Sequence, residues 1–346
     1  MARVLVVTSS PLFVDGGHLV IARALVQALR ERGHEATLRT TPQNRFGRQG
    51  AAYLATWLTD LTCDETGWQV DTVISMRYPS YAVRHPDHVC WLNHTMREYY
   101  DLWPQLSSGL SPQNRVKESV RKTLIHTADR WLLRRNVRRV FAQSTTIQQR
   151  LASDLGVSSE VLYPPAPPRD YRCASYEPYI FAVSRLAPLK RLDLLVDALA
   201  LPASGGARCV IAGDGSELEP LHRKLGMLGL ESRVSLIGRI DDLTLVDHLA
   251  RCRAVCFVPR AEDFGLVTVE AFASGKAVIT CRDSGGPAEL VDDGVNGFVV
   301  EPTPEAVAGA IGQVMRDQAL AERLGAGALA TGARQSWDAA VSRLLQ

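Results

Sequence analysis

The sequence predicts an α/β protein of two doubly wound, Rossmann-like parallel-sheet domains in tandem, with a ligand cleft between them. Three observations carry that expectation. At 346 residues the chain is longer than one hydrophobic core usually serves. Short apolar runs alternate with stretches of helical periodicity, once in each half. Between the halves, LYPPAPPRDYRCASYEPY (162–179) holds five prolines, which neither a helix nor a central strand tolerates.

The elements follow in order. RVLVVTS, from Arg3, reads as a strand, and HLVIARALVQALRERG (18–33) as an amphipathic helix that Gly33 closes as a C-cap glycine. HEATLRT (34–40) returns to strand character, and DTVISM (71–76), HVCWL (88–92) and RVFAQS (139–144) add further apolar runs. These form a first domain at 1–164, followed by a proline-rich linker at 165–178. The alternation then restarts with the strands YIFAVS (179–184), RCVIAG (208–213), RVSLIG (233–238), AVCFVP (254–259) and AVITC (277–281). Helices are expected from Lys190, Ser216 and Leu243 and in VTVEAFASG (267–275), giving a second domain at 179–334. RQSWDAAVSRLLQ closes the chain as a short amphipathic helix at 335–346.

The bulk chemistry narrows the partners. A formal charge of +2, with 22% charged and 46% apolar residues, gives no argument for nucleic acid. RVLVVTSS at the start is too short to span a membrane and no cleavage site follows it, so a cytoplasmic protein is expected. Seven cysteines, odd in number and mostly inside apolar runs, read as reduced, buried thiols. Cys252 and Cys256 would approach each other on a helix, yet nothing completes a zinc set, and no metal site is expected. The pairs Asp241–Asp242 and Asp292–Asp293 read as helix caps and surface turns.

Ligands bind such sheets beyond the carboxyl ends of the strands. Two cations stand there: Arg185 ends one strand, and Lys190 opens the next helix. Positive charge at a helix N-terminus opposes the helix dipole, which makes sense if an anion such as a diphosphate lies between them. EDFGLVTVEAF (262–272) adds two carboxylates. Glu262 is expected on the loop after a strand and Glu270 in the first turn of the following helix. Each could accept protons from vicinal sugar hydroxyls, while Phe264, Gly265 and Leu266 bring backbone amides to the helix start. Helix-terminal acids would account for Glu270 alone, but poorly for all four charged residues lying at strand ends.

At this point the chain resembles a known family. SRLAPLKR, GDG (213–215), EDFGLVTVEAFASGKAVI and GVNGFVV together look like the retaining glycosyltransferase family 4, of GT-B fold. RYPSYAVRHPDHVCWLNHTMREYYDLW is similar to a bacterial subgroup that includes O-antigen mannosyltransferases, which usually carry a second histidine where this chain has Met96. The resemblance implies that Arg185 and Lys190 hold the donor diphosphate, Glu270 the nucleotide ribose, and Glu262 the transferred sugar, beside the Phe264–Leu266 amides. It places Gly16 and Gly17 near the donor phosphates, with Gly213 in the quoted GDG motif. Arg239 falls near the base, and His94 faces the donor sugar from the first domain. It further implies the closing helix packing back on the first domain, and front-side displacement with retention. In that reaction the departing diphosphate takes the acceptor's proton, and neither metal nor other cofactor is required.

The expected activity is therefore transfer of a hexosyl group from a nucleoside-diphosphate sugar to a small-molecule or carrier-bound acceptor, as in natural-product assembly. A UDP-sugar such as UDP-GlcNAc is favoured, with a GDP-hexose next. The rivals are a mannosyl- or hexosyltransferase of cell-surface glycans, a sugar-nucleotide epimerase, and a non-catalytic sugar-nucleotide-binding partner. RKTLIHTADRWLLRRNVRRV (121–140) is the most basic stretch, and Arg130, Arg134 and Arg138 are expected on one helical stripe. The segment 130–139 would dock an acidic carrier protein; membrane contact is the less favoured reading.

Overall fold

The structure, a computed structural model, describes residues 1–11, 16–43, 47–63 and 67–346. It divides into two compact units, Met1–Pro164 with Trp337–Gln346, and Pro165–Ser336.

In the first unit, β1 (Arg3–Ser10), α1 (Gly17–Glu31), β2 (Glu35–Pro42) and α2 (Gln49–Leu58) are followed by β3 (Thr72–Ser75) and β4 (His88–Leu92). Next come α3 (Trp103–Ser108), the long α4 (Pro112–Arg135), β5 (Arg139–Ala142), α5 (Thr145–Arg150) and β6 (Glu160–Val161). The sheet order is β2-β1-β3-β4-β5-β6, with every pair parallel. Helices on both faces explain why β3 and β4 are buried throughout and read as continuous apolar runs. Gly33 follows α1 with φ +79°, the left-handed turn that a C′ glycine supplies. One buried polar network ties the helices together. Asp129 of α4 accepts hydrogen bonds from the hydroxyls of Tyr53, Tyr81 (2.7 Å) and Tyr100 (2.6 Å). Burial pushes its carboxyl up, against the pull of those three hydroxyls.

In the second unit, β7 (Glu177–Val183), α6 (Leu192–Ala200), β8 (Arg208–Ala212), α7 (Leu218–Leu228) and β9 (Val234–Leu236) come first. They are followed by α8 (Asp242–Arg251), β10 (Cys252–Cys256), α9 (Leu266–Ala273) and β11 (Val278–Cys281). The unit closes with α10 (Gly286–Leu290), β12 (Gly297–Val300), α11 (Pro304–Arg316) and α12 (Gln318–Gly332). Its sheet, again all parallel, runs β12-β11-β10-β7-β8-β9. From β7 the chain winds outward through β8 and β9, then returns to β10 on the other side of β7 and winds out again. The crevice outside the adjacent carboxyl ends of β7 and β10 is the topological switch point. Two doubly wound parallel sheets are thus the architecture the sequence predicts.

The final helix α13 (Trp337–Leu345) belongs to the first unit. Trp337 sits edge-on to the buried Trp91, with ring centroids 6.1 Å apart, and Arg32 of α1's end donates to the Asp338 carbonyl (2.6 Å) and the Ser342 hydroxyl (2.7 Å).

Several local readings change. Residues 165–176 contain no helix or strand but are strapped to the second unit, and β7 begins already at Glu177. The fully buried Lys276 ammonium donates to the Ser175 carbonyl and lies 3.2 Å from the Cys173 sulfur, and the Tyr176 hydroxyl donates to the Gly275 carbonyl (2.8 Å). Cys252 and Cys256 lie along strand β10, not on a helix, because the helix α8 stops at Arg251. Both are buried free thiols, whereas Cys63 and Cys173 are exposed. Arg138 leaves the expected stripe because α4 ends at Arg135; it pairs with Asp87 (2.7 Å) instead. The short strands β6 and β12 went unread: two residues carry no periodicity, and GFVV sits behind a turn.

Candidate functional site

The side chains singled out from sequence in the second unit follow successive strands onto one edge of its sheet. Arg185 and Lys190 come after β7, Gly213 after β8, Arg239 after β9, and Glu262 after β10. In a parallel sheet all carboxyl ends share that edge.

Lys190 and Glu262 meet across the switch point: the ammonium donates to a Glu262 carboxylate oxygen at 2.6 Å, with both side chains about one-fifth exposed. Lys190 does not open a long helix. It ends a single 3-10 turn, Pro188–Lys190, and α6 starts at Leu192. The turn is pinned by Arg191, whose φ is +49°. Its guanidinium donates to the Val258 and Pro259 carbonyls (2.8 and 2.7 Å) and grips Asp283 with two bonds (2.8 and 2.7 Å). One side chain thereby joins the loops after β7, β10 and β11. Glu262 is held from the β11 side too, its amide donating to the Ser284 carbonyl (2.8 Å) and its carbonyl accepting from Gly286 (2.9 Å). Arg191→Ala is expected to lower stability by about 1–3 kcal/mol, since it strips the buried Val258 carbonyl and the Asp283 carboxylate of their donor, while the Pro259 carbonyl keeps the Ser284 hydroxyl (2.8 Å). Chemical denaturation of the purified variant would check this; an unchanged midpoint would refute the role.

The Arg185 side chain is exposed, and its guanidinium makes no hydrogen bond or ion pair among the described residues. Arg239 is also largely exposed, 3.6 Å from the Asp214 carboxylate. Gly213 stands between these loops at φ +139°, where an added Cβ would lie 1.8 Å from the Ser184 carbonyl oxygen. Its glycine identity therefore serves the packing of the loops after β7 and β8 against each other.

Helix α9 begins behind Glu262. Gly265, at φ +83°, is its N-cap without a side-chain capping bond, and no acid occupies the first turn. The amides of Gly265, Leu266 and Val267 have no acceptor among the described residues, so this helix end can receive an anion or a hydroxyl oxygen. Phe264 is buried beside it. Glu270 lies in the second turn of α9, not the first, because the helix starts only at Leu266.

Glu270 is 4% exposed. Its Oε1 accepts from the Arg169 guanidinium and from the Tyr171 hydroxyl (3.3 Å), which leaves Oε2 without a partner among the described residues. Arg169 also reaches Asp242 at 2.9 Å. Burial pushes the Glu270 carboxyl up to about 7, against the pull of Arg169 and Tyr171. Burial works against the Arg169 charge as well, but Asp242 and Glu270 outweigh it and raise its pKa. Sequence reading missed Arg169 and Tyr171 because they sit in the proline-rich stretch, about a hundred residues from Glu270. It missed the Arg191–Asp283 clamp because the two partners stand 92 residues apart; only the pairing of a basic dipeptide with a distant strand-end acid could have suggested it.

In the first unit, Gly16 is the N-cap of α1 and Gly17 its first residue, while residues 12–15 of the preceding loop lie outside the described residues. His94 follows β4 by two positions, and its Nδ1 lies 2.5 Å from the Thr95 carbonyl oxygen. A carbonyl only accepts, so Nδ1 carries a proton. Asp241 caps α8 by accepting from the Thr244 amide (2.8 Å). Among the described residues no three His, Cys, Asp or Glu side chains are grouped as a metal site needs.

Residues 169–330 match the family model described as Glycosyl transferases group 1, so the second unit carries that domain. The chain is 30% identical over 151 residues to alpha-D-kanosaminyltransferase of Streptomyces kanamyceticus, covering 42% of this chain and 39% of the relative. It is 34% identical over 174 residues to a D-inositol 3-phosphate glycosyltransferase of Xylanimonas cellulosilytica, covering 49% and 41%. Aligned stretches span from 15% to 49% of the curated relatives' own lengths, less than half in each case. Among solved structures, HepE of Anabaena in complex with UDP and glucose superposes with a TM-score of 0.69 at 20% identity, covering 99% of both chains. The fold is GT-B, as expected from the sequence.

Proposed function

We propose that the protein is a retaining glycosyltransferase that takes its sugar from a nucleoside-diphosphate donor. The observation that carries this reading is the switch point of the second sheet. There a lysine and a carboxylate face each other, the N-terminal amides of α9 are open, and a buried carboxylate keeps one oxygen available. A donor diphosphate exchanges the Glu262 partner of Lys190 for its own oxygens, joined by Arg185, and Glu262 turns to the hydroxyls of the transferred sugar. Glu270 Oε2 accepts from the ribose, and the loops bearing Gly213 and Arg239 border the base. As the glycosidic bond lengthens, negative charge gathers on the diphosphate; Lys190, Arg185 and the helix amides stabilise it most when it is greatest. The leaving diphosphate then takes the acceptor's proton, so neither a metal nor a separate general base enters the step, and a chelator leaves turnover unchanged.

A UDP-sugar is favoured over a GDP-hexose, a choice supported by the UDP bound in the HepE structure. Kanosaminyl transfer by a relative supports a small-molecule or carrier-bound acceptor of natural-product type. Cell-surface glycan assembly is the second reading, favoured by similarity to the lipopolysaccharide core glycosyltransferase LpsE of Rhizobium meliloti. No helix among the described residues is long and apolar enough to cross a membrane, and we place the activity in the cytoplasm. Incubation with UDP- and GDP-sugars, with and without aminocyclitol, inositol-phosphate and glycolipid acceptors, tests the proposal. Acceptor-dependent release of nucleotide supports transfer; isomerised donor or binding without turnover would overturn it. His94→Ala is expected to lower kcat about 10–100-fold while nucleotide affinity stays within twofold, read from steady-state kinetics and calorimetry.

A further inference from the structure

Helix α4 carries apolar side chains on two faces, one more than its packing needs. The inner face buries Ile125, Leu132 and Leu133. The outer face presents Val116, Val120, Leu124 and Trp131, all more than half exposed. Beside it α2 exposes Leu54 and Leu58 in the same degree. Between the two helices lies an open groove of about 550 Å³, lined by Leu54, Trp57, Leu124 and Trp131 among others. Trp57 and Trp131 close one stretch of it with ring centroids 5.5 Å apart. The Tyr53–Asp129 hydrogen bond joins the two walls, so the groove is part of the folded unit.

Charge is sorted along the same helix. Its acids, Glu118 and Asp129, are both buried: Glu118 takes the Tyr99 hydroxyl (2.7 Å) and Arg121, and Asp129 takes its three tyrosines. Its remaining basic side chains, Arg115, Lys117, Lys122, Arg130, Arg134 and Arg135, stand at its exposed or half-exposed positions. The solvent face is therefore apolar and uniformly positive, although the whole chain carries only +2. A helix of 24 residues extends about 36 Å at 1.5 Å per residue, long enough to lie along a surface rather than fit a single pocket.

We propose that the α2–α4 face of the first unit docks on an anionic lipid bilayer. Interleaved cations and apolar residues on a helix lying in the interface plane suit lipid headgroups, with the apolar row entering the acyl boundary. Trp57 and Trp131 supply the amphipathic rings that settle at headgroup depth. An acidic protein partner would be matched by a compact anchor cluster with a polar rim. Here the row runs over four turns with no carboxylate exposed on α4. The proposed surface differs from the basic segment 130–139: Arg138 and Arg139 lie beyond the end of α4, and the apolar row enters.

Flotation of the full chain with phosphatidylcholine vesicles, with and without one-quarter phosphatidylglycerol, tests this. Binding is expected on the anionic vesicles, at least tenfold above the neutral ones, with a blue shift of tryptophan emission and release at high salt. Leu124→Ser with Trp131→Ala is expected to lower partitioning at least tenfold. Each of Lys117→Glu and Arg130→Glu is expected to lower it about fivefold or more. Melting temperatures confirm that the variants fold. Absence of binding, or binding that these substitutions leave unchanged, would overturn the proposal. So would a stable dimer that the Leu124 and Trp131 changes dissociate, since the face would then belong to a second copy.

Discussion

Replacing Glu270 by glutamine is expected to weaken UDP or GDP binding by about 10–100-fold, the loss of one hydrogen bond to a charged acceptor. The side chain is buried, its Oε1 is committed to Arg169 and Tyr171, and its Oε2 is the oxygen a ribose hydroxyl would meet. Calorimetric titration reads the effect directly, and equal affinity in the variant would remove Glu270 from the nucleotide site. A pH series sharpens the test. The carboxyl is held up to about 7, so in the free protein it ionises as pH rises through that value. Ionisation frees Oε2 of its proton and makes it a charged acceptor for a ribose hydroxyl, so nucleotide affinity should rise between pH 6 and 8, and the glutamine variant should show no such rise. Stability runs the other way. The folded pKa exceeds the ordinary 4.5, so this group's contribution is full below 4.5 and is lost as pH climbs through about 7. Relative to the parent, Glu270→Gln should therefore fare better at pH 8 than at pH 5.

Lys190→Ala is expected to lower kcat about 10²–10³-fold, the usual consequence of removing one charge-stabilising group from a developing anion. Nucleotide affinity should fall less, because Arg185 and the amides of α9 still face the diphosphate in the proposed complex. Glu262 would lose its 2.6 Å partner, so a melting curve must accompany the kinetics. Lys190→Arg keeps the charge but not its compact point geometry, and partial recovery is expected. A kcat within threefold of the parent in the folded alanine variant would refute the role of Lys190.

The residues that could be found in the sequence are those whose signal is local. Arg185, Lys190, Gly213, Arg239 and Glu262 each come just after an apolar run, and a parallel sheet gathers such positions on one edge whatever its strand order. Glu270 was legible as a helix acid but one turn out of place, because the N-cap depends on the backbone angle of Gly265. Its partners were not legible. Arg169 and Tyr171 read as linker, and their contact with α9 spans about a hundred residues. The Arg191–Asp283 clamp bridges 92 residues and leaves no periodic trace.

Alone, the sequence determined the two doubly wound sheets and the stations where chemistry can sit, because apolar periodicity, glycine and proline act over a few residues. Only tertiary structure decided that Lys190 faces Glu262, that Arg169 and Tyr171 cover Glu270, and that α4 turns its acids inward and a row of apolar side chains out. Those facts depend on which distant segments pack together, and burial and pairing energies belong to the folded arrangement, not to any short stretch of chain.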